Sequence, residues 1–357
     1  MNSDIQKLRA LAVILVIFGH MQGSLFHSPN ILTEFLSHFW LGGGVDLFFC
    51  ISGFVISKKI VSIIDNHKNN QNEQWQIIKE FWIKRAFRLL PSAWFWMLFP
   101  LVGSLFFNQS GVFGLEAANL KSVAAIILYV ANFAQAFGPG LGANGSYWSL
   151  ALEEQFYFAF PFFLLFVSKR VRWLILLLAI IALTSHWPSY SVWRLDSIIF
   201  GVLLYFFSRS VGSKLFEPRV METRWVSFSI VGILVLSLTL INQAIPGAQY
   251  KYTIVGFFTA ILVFMASFDK NYILPSKRLN AALRYIGNRS YAIYLVHMPA
   301  YLLTNEIWNK KEVGSLTIAI TGLSLIFAFS ELSYRFIESP MRNFKGRREP
   351  NALLVDR

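Results

Sequence analysis

Among the ionisable side chains within or at the ends of strongly apolar stretches are His20, Asp46, Glu153, Glu154, Arg194, Asp196 and His297. An ionisable group inside a membrane span costs about 2.5–3.5 kcal/mol on insertion scales, so each marks a candidate site until a structural partner accounts for it. Imidazole can act as a general base or carry an acyl group, and a carboxylate beside it can orient the ring and stabilise its cation. Arginines form a second group. Arg85 and Arg88 in Phe81-Trp82-Ile83-Lys84-Arg85-Ala86-Phe87-Arg88-Leu89-Leu90-Pro91 stand at i and i+3, on one side of a helix, and Arg9 precedes His20 in the first apolar stretch. Guanidinium groups grip phosphate bidentately. Metal chemistry is not expected, because HExxH and CxxC are absent and Cys50 has no second cysteine. The glycines from Gly138 to Gly145 lack the GK[ST] ending of a phosphate loop, and the GxSxG nucleophile elbow is also missing.

The elements that position these groups follow from composition. Of 357 residues, 55% are hydrophobic and only 14% charged, against about 25% charged in soluble domains. Apolar windows fall near residues 8–26, 38–57, 89–107, 122–137, 148–167, 171–187, 191–208, 225–243, 252–268, 287–305 and 315–336. Most approach the ~20 residues a spanning helix needs. Strict alternation over ~10 residues, the mark of a membrane β-strand, is missing. The fold expected is an all-α polytopic transmembrane bundle. The net charge of +13 is what basic cytoplasmic loops give, and no polar stretch is long enough to fold as a nucleic-acid-binding domain.

Basic clusters set the orientation. Lys7 and Arg9 flank the first window, and Lys58, Lys59, Lys68, Lys79, Lys84, Arg85 and Arg88 crowd the second connection, whereas residues 27–40 hold no Lys or Arg. The N-terminus and the second connection are therefore expected in the cytoplasm. Later clusters are Lys169, Arg170 and Arg172; Arg209, Lys214, Arg219 and Arg224; Lys270, Lys277, Arg278 and Arg284; and Arg342, Lys345, Arg347 and Arg348. Two windows separate successive clusters, except between Arg88 and Lys169, where there are three. The weakest, 122–137, carries Asn132 and Gln135 and is expected not to cross fully. About ten spans result, with both termini cytoplasmic: one integral membrane domain, 1–340, and a short basic tail, 341–357.

With that topology, His20 lies ~16 Å along the helix from Arg9, in the outer half of the membrane. Asp46, Glu153, Arg194 and Asp196 open inward-running windows, so topology gathers them near the same depth, and His297 sits mid-span where it can face the same cavity. Plainer roles also exist. His20 can be a packing residue, Asp46 can complement a helix N-terminus, Glu154 can be a polar rim residue, and Arg85 and Arg88 can be interfacial anchors. Arg194 and Asp196, at i and i+2, do not face each other, so each is expected to find another partner.

These residues together resemble the acyltransferase-3 family of integral membrane acyltransferases. Arg9-x10-His20 resembles its first-helix motif, Gly44-Val45-Asp46-Leu47-Phe48-Phe49-Cys50-Ile51-Ser52-Gly53-Phe54 its second-helix signature, and Arg85-x-x-Arg88 with Leu89-Leu90-Pro91 its arginine motif. Trp148-Ser149-Leu150 through Tyr157, Arg194-Leu195-Asp196 with Gly201, Ser290-Tyr291 through His297, and Tyr334-Arg335-Phe336-Ile337-Glu338-Ser339-Pro340 resemble later segments.

The resemblance implies a multi-pass enzyme of the bacterial inner membrane that moves an acetyl group from cytoplasmic acetyl-CoA to a glycan or lipid-linked sugar. Its catalytic histidine would be His20, as general base or transient acyl carrier, with Asp46 or Glu153 orienting the ring. Arg9, Arg85 and Arg88 would hold the donor, with its acyl end reaching toward His20; Arg194, Asp196 and His297 would serve the acceptor. Lipopolysaccharide O-antigen is the first acceptor expected, with capsule, peptidoglycan or a small molecule as alternatives. Only about twenty residues follow Phe336, so transfer is expected to be completed by the membrane domain or by a separate partner. The rival reading is a secondary transporter or flippase, because buried charges also mark substrate pathways.

Overall fold

The computed structural model describes residues 2–26, 31–67, 70–138, 140–186, 190–210, 215–246, 250–309 and 313–346. Lys68, Lys214, Arg347 and Arg348 of the basic clusters, and the tail from 347 onward, lie outside the described residues. The described chain is helical, with no strand. In order, the helices are α1 (Ser3–Ser24), α2 (Ile31–Ser37), α3 (Gly43–Asn66), α4 (Gln71–Met97), α5 (Phe99–Phe106), α6 (Glu116–Ile127), α7 (Ala131–Phe137), α8 (Tyr147–Phe166), α9 (Arg172–His186), α10 (Tyr190–Trp193), α11 (Asp196–Ser208), α12 (Arg224–Ala244), α13 (Lys251–Ser267), α14 (Lys277–Asn288), α15 (Ser290–Ile307), α16 (Ser315–Ser333) and α17 (Ser339–Gly346), with a π-helical turn at Tyr334–Glu338.

Among the described residues four helical stretches are long and apolar enough to cross a membrane: Gly43–Asn66, Gln71–Phe106, Arg224–Ala244 and Ser315–Asn343. Large apolar side chains are exposed on the helices, among them Phe158, Leu178, Ile181, Trp225, Ile233 and Phe327. A bilayer is the solvent that suits such surfaces. The 122–137 window is broken. α6 ends at Ile127, Tyr129 takes φ +57°, and α7 begins at Ala131. With 12 and 7 residues these helices are about 18 and 10 Å long, each short of a ~30 Å hydrocarbon core.

The chain divides into two compact units. The first holds residues 1–57 and 170–290. Within it α1 packs on α13 and α14, and α11 on α9 and α13. The start of α1 is held by charge: Asp4 and Lys7 form a fully buried 2.6 Å ion pair, and Lys7 Nζ also donates to the Ile273 carbonyl and Asn271 Oδ1. Asp269 accepts the Ser3 N–H at 2.7 Å, satisfying a donor the helix start leaves open. Close approach fixes the rest. A Cβ at Gly44 would sit 2.6 Å from the Ala12 carbonyl oxygen, so α3 meets α1 there only as glycine. Gly53 and Gly201 face carbonyls across the α3–α11 crossing, those of Ile198 and Cys50.

The second unit holds residues 58–169 and 291–357. Here α4 packs on α8 and α17, and α7 on α8. Trp82 Nε1 donates to the Tyr157 carbonyl at 3.1 Å, and Tyr147 Oη to the Ala93 carbonyl at 2.8 Å, tying α4 to α8 at two levels.

Candidate active site

In the first unit, α1 carries both Arg9 and His20. Arg9 Nε donates to Ser290 Oγ at 3.0 Å. His20 Nδ1 lies 3.0 Å from the Val16 carbonyl oxygen. A carbonyl only accepts, so Nδ1 carries the hydrogen, and the lone pair of the neutral ring is on Nε2. That is the form a general base needs. Val16 also lies against Gly44, so the glycine that admits α1 helps place the histidine's turn beside α3.

Asp46, one turn into α3, pairs with Arg194 at the entry to α11. Arg194 Nε donates to Asp46 Oδ1 at 2.9 Å, Nη2 binds Oδ2, and Nη2 also reaches the Gly42 carbonyl at 3.1 Å. Ser197 Oγ adds a 3.2 Å bond to Asp46 Oδ1. The guanidinium stacks on Tyr252 at 4.5 Å and Trp40 at 5.3 Å. Asp196 accepts from Thr253 Oγ1 at 2.6 Å. Arg194 and Asp196 thus take separate partners, as their spacing requires, and Asp46 is the counter-ion of Arg194.

The second unit holds a cavity of about 420 Å³, within the range of small-molecule sites. Trp82, Arg85, Ala86 and Leu90 of α4, with Glu154, Gln155, Tyr157 and Phe158 of α8, line it, and Tyr129 closes the wall. Arg88 is not among the lining residues. Tyr129 is a bulky residue in the left-handed region, a conformation that needs support from its surroundings. Gln155 supplies it, donating to the Tyr129 carbonyl at 2.7 Å and exchanging bonds with the Asn132 side chain at 2.9 and 3.1 Å. Glu153 accepts from Tyr157 Oη one turn away. His297 is fully buried in α15 between Tyr294 and Tyr301, its Nδ1 donating to the Tyr294 carbonyl at 2.6 Å, and it does not line the cavity.

The first unit therefore holds Arg9, His20, Asp46, Arg194 and Asp196, of which Asp46 and Arg194 are joined directly, and the second holds Arg85, Arg88, Glu153 and His297. The sequence left Glu154 between a candidate group and a rim residue; its carboxyl lines the cavity and Oε1 is buried without a hydrogen-bond partner. Tyr129 was missed altogether. Among the described residues no group of three or more His, Cys, Asp or Glu could hold a metal.

The acyltransferase domain model matches residues 2–334. The peptidoglycan O-acetyltransferase OatA of Listeria monocytogenes is 29% identical over 389 aligned residues, covering 98% of this chain and 58% of that protein. The O-acetyltransferase OatA of Staphylococcus aureus (strain NCTC 8325 / PS 47) is 27% identical over 373 residues, covering 94% of this chain and 56% of that protein. The chain thus spans a little over half the length of these relatives. No solved structure matches it. The family match takes in both constellations, from Arg9 and His20 in the first unit to the cavity of the second, and the chain belongs to this family of acyltransferases.

Proposed function

We propose that the protein is a membrane O-acyltransferase that moves an acetyl group from cytoplasmic acetyl-CoA to a hydroxyl of a cell-surface glycan. The observation that carries this reading is the bond from His20 Nδ1 to the Val16 carbonyl, which leaves Nε2 as the base in a chain whose family is acyl transfer. His20 takes the acceptor's hydroxyl proton on Nε2 as the oxygen bonds to the acyl carbon, and gives it to the sulfur released when the thioester bond breaks. Bound acetyl-CoA supplies that activated thioester.

The residues of the second unit suit such a donor. No hydrogen bond or ion pair within 4.0 Å is found for Arg85 among the described residues; its guanidinium lies against the rings of Tyr157 at 4.7 Å and Phe81 at 6.0 Å and near the Glu154 carboxyl, so its N–H donors suit an oxygen-rich ligand. Arg88 and Arg9 are each proposed to serve the donor as well. Arg194, Asp196 and His297 are assigned to the acceptor side, and the carboxylates Asp46 and Glu153 act through Arg194 and Tyr157, the partners they hold. We place the protein as one integral domain over 1–340 with a basic tail, crossing the bacterial inner membrane about ten times with both termini cytoplasmic.

The acceptor expected first from sequence was O-antigen. The printed name of the Listeria relative, a peptidoglycan O-acetyltransferase, favours peptidoglycan as the first glycan to test. Mass spectrometry and NMR of purified peptidoglycan and lipopolysaccharide from cells carrying the wild-type gene, a deletion and His20→Ala at matched membrane levels decide it. The reading expects one O-acetyl signal to disappear in both altered strains. Unchanged acetylation of every surface glycan overturns it.

A further inference from the structure

The segment from Lys277 to Arg289, α14 and the residue after it, holds four cations and no Asp or Glu. Its 12 helical residues span about 18 Å, too short to cross a hydrocarbon core. One face is fixed by packing. Leu283 and Gly287, four positions apart, are buried, α14 packs on α1, and a Cβ at Gly287 would fall 1.9 Å from the Gln6 carbonyl oxygen.

The opposite face is basic. At about 100° per residue, Lys277 falls in line with Arg284 and Arg278 in line with Tyr285, and Arg289 stands one turn beyond Tyr285, so the four cations share about 140° of the helix surface. Lys277, Arg278 and Arg284 are exposed, and the Arg289 guanidinium lies 3.7 Å from the centroid of the Tyr285 ring. Leu279 and Ile286 border this arc on the side of Arg278 and Arg289, and Leu279 is 42% exposed. Helix stability gains nothing from the first two cations: Lys277 and Arg278 occupy the first turn, where the helix dipole disfavours positive charge, and no acidic residue stands there to offset them.

A cationic arc beside an apolar stripe complements phosphate headgroups beside acyl chains. A soluble polyanion would meet the arc and leave Leu279 and Ile286 unmatched. A zwitterionic lipid would match the stripe while offsetting each phosphate with its own ammonium. We propose that α14 lies along the membrane interface and binds anionic phospholipids, with Lys277, Arg278, Arg284 and Arg289 on the phosphates and Leu279 and Ile286 against the tails. This rests on the membrane placement proposed above and on no step of acyl transfer.

Native mass spectrometry of the purified full chain in detergent micelles, titrated with dioleoylphosphatidylglycerol or dioleoylphosphatidylcholine, tests it. The wild type is expected to hold phosphatidylglycerol at least about tenfold more tightly than phosphatidylcholine, and the triple variant Lys277→Gln, Arg278→Gln, Arg284→Gln to lose at least about tenfold of that affinity. These side chains are exposed, so the melting temperature of the triple variant is expected to match the wild type. Lys58→Gln, Lys79→Gln, Arg170→Gln removes the same charge from exposed positions outside α14 and is expected to keep the wild-type affinity. Glycerol 3-phosphate, a phosphate without tails, is expected not to displace the lipid. Equal affinity for the two lipids, an equal loss in both triple variants, or displacement by glycerol 3-phosphate overturns the proposal. Flotation with phosphatidylcholine liposomes checks the placement by itself: a chain that floats without preferring phosphatidylglycerol loses this site and keeps its place in the bilayer, and a chain that stays in solution overturns both.

Discussion

Arg194 and Asp46 should be coupled far more strongly than an exposed pair. Their side chains are 4% and 0% exposed, joined by two hydrogen bonds, and Arg194 also holds the Gly42 carbonyl. Removing one partner of a buried pair strands the other charge, at a cost of about 3–5 kcal/mol. Arg194→Leu leaves Asp46 without its guanidinium partner, and Asp46→Leu leaves Arg194 without its carboxylate. Independent effects would bring the double variant to about 6–10 kcal/mol. In the double variant neither charge remains, and what is lost is a partner for Gly42 and Ser197, about 1–3 kcal/mol. The coupling energy should therefore be at least about 3 kcal/mol. Equilibrium unfolding of the purified chain in mixed micelles, run as a double-mutant cycle, measures it. Coupling below about 0.5 kcal/mol would show that the two charges act independently and refute this reasoning.

Other consequences are as definite. Gln155→Leu removes the donor to the Tyr129 carbonyl and the paired bonds with the Asn132 side chain, so it should cost about 2 kcal/mol in the same unfolding assay. Gly201→Val drives a side chain into the Cys50 carbonyl, and the expected outcome is loss of monodisperse protein on gel filtration, while Gly232→Ala, whose added Cβ meets nothing within 4 Å, leaves it intact. Glu217, in the loop before α12, is held below its ordinary value of 4.5 by its bonds to Lys270 and to Tyr272 Oη. A lowered carboxylate contributes stability that is complete above its unfolded pKa and is lost as pH falls through the folded one. Melting curves should thus show Glu217→Gln less sensitive than the wild type to acidification below about pH 4.5.

How far the sequence reaches can be seen residue by residue. Asp46 and Arg194, far apart in the chain, were brought to one depth by charge counting alone, because both open windows that the basic loops orient inward. The failure of 122–137 to form one helix was signalled by Asn132, whose side chain now pairs with Gln155. Helix ends were harder to see. The window at 89–107 is the apolar half of a run from Gln71 to Phe106, since a helix continues through an amphipathic, charged segment that hydropathy does not register. The window at 287–305 hides a break at Arg289, between α14 and α15. Glu154 was out of reach for a different reason. Adjacent helical residues point about 100° apart. Which of Glu153 and Glu154 enters a cavity depends on how α8 packs against α4, and that is set by contacts such as Trp82 with the Tyr157 carbonyl.

The central claim is that His20 is the base of an acyl transfer. Its most direct test is label transfer from radiolabelled acetyl-CoA to peptidoglycan or lipopolysaccharide by the purified full chain in proteoliposomes, comparing wild type with His20→Ala at equal folded content. The account predicts label in one glycan with the wild type and at least about 100-fold less with His20→Ala, the contribution expected of a general base. Transfer by folded His20→Ala at the wild-type rate would contradict it.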